Sequence, residues 1–193
     1  MARKKNEFRP DTFRQDILGK LLLTKKQSQV LLRWVLFCLV CLTGLIIQDV
    51  VMSRFTIFGT TTDLVPCCIL AICILQGAES GCIFALVASM IYYFSGSAPG
   101  IFAIPMLTVI AVFTAVFRQA YLRKGFFTMV ICTAVALFLY ELGIFSIGLF
   151  LGSTIASRMP VFLITAAITL ALVPILYPIL LSIGKIGGEI WKE

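Results

Sequence analysis

Residues 34–51 read WVLFCLVCLTGLIIQDVV, an apolar run from Trp34 to Val51 whose one charge, Asp49, comes near its end. Nine basic residues precede it: Arg3, Lys4, Lys5, Arg9, Arg14, Lys20, Lys25, Lys26 and Arg33. A run of this length and composition reads as a transmembrane helix, and cations crowded at one end favour the cytoplasmic side for that end. Further along, Arg118, Arg123 and Lys124 share one short loop, and Lys185 and Lys192 lie in the tail. Only Arg54 and Arg158 are left for the outer side. The chain is expected to be a multi-pass integral membrane protein with both termini in the cytoplasm.

Composition points the same way. Hydrophobic residues make up 60% and charged residues 13% of 193, with a mean hydropathy of +1.04. A soluble domain so composed lacks the polar side chains to cover its surface. The apolar runs are long and do not alternate, so helices are favoured over barrel strands. The expected fold is an all-α integral membrane protein. A basic cytoplasmic leader (residues 1–33) precedes a six-transmembrane-helix bundle (34–184) and a short cytoplasmic tail (185–193). The formal charge of +7 belongs to these flanks and has no interleaved aromatics with which to stack bases. No small-residue cleavage pattern follows the first run, so it is expected to remain as an anchor.

Within the leader, Thr12 and Gln15 have capping-box spacing, and Phe13, Ile17, Leu18, Leu21 and Leu22 share one helical face. An amphipathic helix lying against anionic lipids is expected there. The second span is placed at Asp63 to Gln76 and the third at Gly81 to Phe94, both short for a bilayer that needs about 20 helical residues. A single span plus a re-entrant piece would put Arg118, Arg123 and Lys124 outside, against the charge bias. The turn Ser95-Gly96-Ser97-Ala98-Pro99-Gly100 belongs outside, and span four follows from Ile101 to Phe117. Span five begins near Gly125 and reaches Glu141 after about 24 Å of helix, followed by an outer segment from Ile144 to Ile155. Span six covers Pro160 to Ile183, with kinks expected at Pro174 and Pro178.

The chain has no histidine. No Ser-Lys, Asp-Asp or Glu-x-x-His set falls at helical spacing in a span, so a catalyst is not expected. The cysteines Cys38, Cys41, Cys67, Cys68, Cys73, Cys82 and Cys132 all lie in apolar runs, where thiols act as small hydrophobes. The C-x-x-C of Cys38 and Cys41 lacks the accessible thiolates and second ligand pair that redox or metal chemistry needs. Neither a metal nor a cofactor is expected. Asp49 and Glu141 stand out as acids close to hydrocarbon, where an ionised carboxylate costs roughly 2.5–3.5 kcal/mol. They are candidates for an outer polar contact, or else solvated interfacial groups. The small-x-x-x-small pairs Ala85 and Ser89, Ala111 and Ala115, and Gly148 and Gly152 suit close helix packing, within the bundle or against a partner.

From Asp63 onward the chain resembles the rod shape-determining protein MreD family of bacteria. The likeness lies in Leu64-Val65-Pro66 opening a segment that ends in Leu75-Gln76-Gly77, in Gly81 opening the next span, and in the outer turn from Ser95 through Gly96 to Gly100 and Ile101. It extends to Leu172-Val173-Pro174-Ile175-Leu176-Tyr177-Pro178-Ile179-Leu180 before a basic terminus. Tyr92 and Tyr93 stand where members of that family often carry an acid. The resemblance implies a non-enzymatic scaffold of the cell-wall elongation machinery, holding a membrane-anchored MreC-like partner beside MreB filaments and peptidoglycan synthases. The alternative is the six-span substrate-binding subunit of an energy-coupling-factor vitamin transporter. Its length and short second and third spans fit, but its first-helix Ala-x-x-x-Ala pattern is absent.

Overall fold

The computed structural model describes residues 25–54, 60–121 and 125–186, and the leader's interfacial helix, Arg123 and Lys124 lie outside them. The regular elements are helical: α1 (Lys25–Val50), α2 (Leu64–Gln76), α3 (Ala78–Phe94), α4 (Ala103–Tyr121), α5 (Phe126–Phe150), α6 (Met159–Leu170) and α7 (Val173–Gly184). Short 3-10 turns at Met52–Arg54 and Ala156–Arg158 complete them.

α2 is the axis of the molecule. Every residue from Leu64 to Leu75 is buried, because a helix apolar on all sides has no polar face to turn outward. All six other helices touch it. The surrounding helices each bury one stripe. On α1 the stripe is Phe37, Cys41, Gly44 and Gln48; on α3 it is Phe84, Ala85, Ala88, Ser89 and Tyr92; on α4 it is Leu107, Ile110, Ala111, Thr114, Ala115 and Arg118. The three- and four-residue steps keep each stripe on one face of a 3.6-residue helix. Large apolar side chains such as Ile83, Phe94, Phe113, Phe127 and Phe150 stand exposed on the outer surface.

α2 and α3 form a hairpin joined by Gly77 alone. Its φ of +94° is left-handed backbone that favours glycine, and its N–H bonds Cys73 O at 3.0 Å. Just beyond, a Cβ on Gly81 would lie 3.1 Å from Cys73 Cα, so the two backbones cross nearly in contact.

Three helical segments, Gln27–Arg54, Ala103–Tyr121 and Phe126–Phe150, are long and apolar enough to cross a membrane, and α6 with α7 makes a fourth if that bent pair is one span. α2 and α3 fall short of that length. The six expected spans are thus matched in position by helices, while three to four meet the length and composition of a full crossing.

Several boundaries differ from expectation. α1 already includes Lys25 to Arg33 ahead of Trp34, because Lys, Gln, Leu and Arg sustain a helix beyond hydrocarbon. α5 continues past Glu141 to Phe150, absorbing most of the segment expected as a separate outer piece, since isolated Gly143 and Gly148 do not break a packed helix. It stops at Gly152, with φ +69°, where Ser153 N bonds Gly148 O at 2.9 Å and Gly152 N bonds Leu149 O at 3.1 Å. That pair of bonds is a Schellman ending. The last span is broken by 48° between Leu170 and Val173. Pro174 lacks the N–H that would reach Leu170 O, and its ring crowds that carbonyl; Pro178 is carried inside α7.

Candidate functional site

The ends of α2 carry the polar chemistry of the bundle. At its N-terminus, Val65 N donates to Gln48 Oε1 at 2.9 Å, and Gln48 Nε2 reaches Asp63 Oδ1 at 3.5 Å. Asp63 N donates to Thr169 Oγ1 at 3.1 Å. At the other end, Arg118 Nη1 donates to Ile74 O. A buried helix leaves unpaired N–H groups at its start and carbonyls at its finish, and here side chains of α1, α6 and α4 meet some of these groups. The acid stands at the positive end of the helix dipole and the guanidinium at the negative end, the favourable sense for both.

Around Asp63 the N-terminal end gathers further groups. Glu141 on α5, 3% exposed, comes near the partly buried Asp63. Tyr92 and Tyr140 have no exposed surface and come close to both acids. Neither tyrosine hydroxyl makes a hydrogen bond of good geometry, although Gln48 lies near the first and the two tyrosines near each other. The hydroxyl of Thr62, next to Asp63, is likewise buried without a partner.

Of the residues singled out in the sequence, Glu141 belongs to this cluster and Asp49 does not. One residue is a 100° turn on a helix, so Gln48 faces inward and Asp49 outward. Asp49 is exposed, and its Oδ1 accepts a 2.6 Å hydrogen bond from Ser97 Oγ, tying the 95–100 turn to the end of α1. Gly96 is exposed and Gly100 half-buried in that turn, both at positive φ. Gly100 also borders a recess of about 420 Å³ lined by Phe102, Ile144, Ser153, Thr154 and Phe162 among others. Ala111 and Ala115 are buried, 0% and 1% exposed, inside the bundle. The close approach they allow is therefore used within this chain, which corrects their candidacy as a partner-facing pair.

Asp63, Gln48, Tyr92, Tyr140 and Thr169 were not singled out as a site. The signal for Gln48 was its place on the Phe37, Cys41, Gly44 spacing; for Asp63 it was an acid directly against an apolar run. Arg118, read as a loop cation, sits in the last turn of α4 and is buried. Among the described residues, all the cysteines are free thiols and no three of His, Cys, Asp and Glu converge. Comparison with protein-family models, curated proteins and solved structures finds no match.

Proposed function

We propose that the chain is an MreD-like, non-enzymatic scaffold of bacterial cell-wall elongation that crosses the cell membrane six times and binds an MreC-like membrane protein. The carrying observation is the bracing of α2. Its ends are tied to α1, α4 and α6, so the polar groups of the interior bond the bundle to itself. A bundle so closed is suited to presenting a rigid outer face to other proteins.

The same bonds support six crossings with cytoplasmic termini. Gln48, near the end of α1, meets the start of α2, and Arg118, near the end of α4, meets its finish. α1 to α4 therefore alternate in direction, and Arg118 falls on the side of the basic leader. A helix of 13 residues spans about 20 Å. α2 is nonetheless long enough because protein, not lipid, surrounds it and its end groups find partners there.

The transporter-subunit reading has one observation in its favour, the recess of about 420 Å³ beside Gly100, which is within the usual range for small-molecule sites. Depletion separates the two. The scaffold reading expects rod-shaped cells to become round with vitamin uptake intact; unchanged shape with lost uptake would transfer the assignment to the transporter subunit.

A further inference from the structure

α5 packs against α4 on one side and α6 on the other, and each pair is drawn together at a definite level. Between α4 and α5 that level is Gly143, where a Cβ would overlap the Met106 methyl. Between α5 and α6 it is the Phe145 and Phe162 ring pair, with centroids 5.3 Å apart. Beyond it, at the end of the bundle where Ser97 bonds Asp49, lies the recess of about 420 Å³. The space stays open because Gly100, Ala103 and Gly148 bring little or no side chain to its walls.

One edge of the recess is polar. Ser153 N, Thr154 N and Ser153 Oγ all donate to Gly148 O, at 2.9, 3.2 and 3.0 Å. These bonds fold the loop over Gly148, and the Thr154 hydroxyl occupies the place that a Cβ on Gly148 would take. Thr154 is half-buried, and among the described residues its hydroxyl has no hydrogen-bond partner. The other walls are apolar, among them Phe102, Ile144, Ile147 and Phe162, and no charged residue is among the described lining. Leu151 of the wall is 64% exposed, with Phe150 and Ile155 close by in the chain at 94% and 69%. The wall therefore continues into an apolar outer surface of the kind that faces hydrocarbon.

We propose that this recess binds one hydrocarbon chain of a membrane lipid, with the Thr154 hydroxyl donating to the ester carbonyl at the head of that chain. An apolar cavity holds water poorly, and uncharged walls leave a charged headgroup outside. A water takes about 30 Å³ of liquid and a methylene about as much, so the space accommodates roughly a dozen carbons. The ester carbonyl is the acceptor that stands where a lipid's apolar part meets its polar part, and a threonine hydroxyl is a donor suited to it. Such a site requires only that the chain lie in a bilayer; whether it holds an MreC-like partner does not enter.

The test uses the full chain reconstituted in phosphatidylcholine bilayers, with some of the lipid carrying a photoactivatable diazirine in its acyl chain. After illumination, mass spectrometry of the digested protein should find label at Ile144, Ile147 and Phe162 severalfold above that at Phe113. Phe113, 65% exposed on the flank of α4, reports lipid that merely surrounds the protein. Label that follows exposure alone would overturn the proposal. Ile147→Trp, which fills the recess, should bring Ile144 and Phe162 down to the level of Phe113 and leave Phe113 unchanged; undiminished label would overturn it too. Thr154→Val keeps the shape and removes the donor, and should need about fivefold more labelled lipid for the same yield, the worth of one hydrogen bond. An equal requirement would overturn the role of the hydroxyl. Protection of the recess from label by a co-purified water-soluble compound would make it a solute site instead. The wild-type pattern decides the question even where a variant does not fold.

Discussion

Side chains from other helices finish α2, and the consequences differ from one residue to its neighbour. Replacing Gln48 by Leu keeps the bulk but strips Val65 N and Asp63 of a partner in an enclosed place, where an orphaned polar group costs about 1–3 kcal/mol. Asp49→Asn, one position on, retains an acceptor for Ser97 at an exposed site and should stay within about 0.5 kcal/mol. Unfolding in detergent monitored by helicity would compare the two; equal effects would contradict the inward placing of Gln48. Glu141 was visible in the sequence because a lone acid in an apolar helix is conspicuous. Asp63 was not, since Thr60, Thr61 and Thr62 before it make it read as the end of a loop, and its partners Gln48 and Thr169 lie 15 positions before it and 106 after it.

At the scale of elements, the α2–α3 hairpin depends on backbone contact at Gly81. A side chain there must displace Cys73 backbone, so Gly81→Leu should destabilise by about 1–3 kcal/mol. Gly125→Ala, at an extended φ of −177° where a Cβ would meet only Thr128 Oγ1 at an ordinary 4.0 Å, should change stability by less than about 0.5 kcal/mol. Thermal unfolding of both variants measures the difference, and a tolerated leucine at position 81 would show that the helices do not cross there. The helices themselves were legible as apolar runs, and the break before Pro174 was legible in kind. Their ends were less so. Lys25 to Arg33 carries α1 onward because helix propensity does not stop at the edge of hydrocarbon. The finish of α5 depends on Gly152 rather than on the charge at Glu141. Which stripe each helix buries was readable in principle from its spacing, but that one helix lies enclosed by all the others follows only from the packed chain.

For the whole molecule, orientation and partnership are the properties to test. With native thiols removed, a cysteine at Gly96 should react with an impermeant reagent in intact cells, and one at Arg123 only after the membrane is opened; the reverse would remove the alternating six-span arrangement. Because Ala111 and Ala115 are buried, a partner helix must meet another face. The apolar groove between α5 and α6, lined by Ala134, Phe138, Ala166 and Ala167, is one of the surfaces open to it. The most direct measurement of the scaffold role is purification of the full chain from its native membrane in mild detergent, followed by identification of what accompanies it. The proposed function predicts stoichiometric recovery of an MreC-like membrane protein and no bound vitamin. Recovery of a transporter ATPase module, or of a tightly held vitamin, would contradict it.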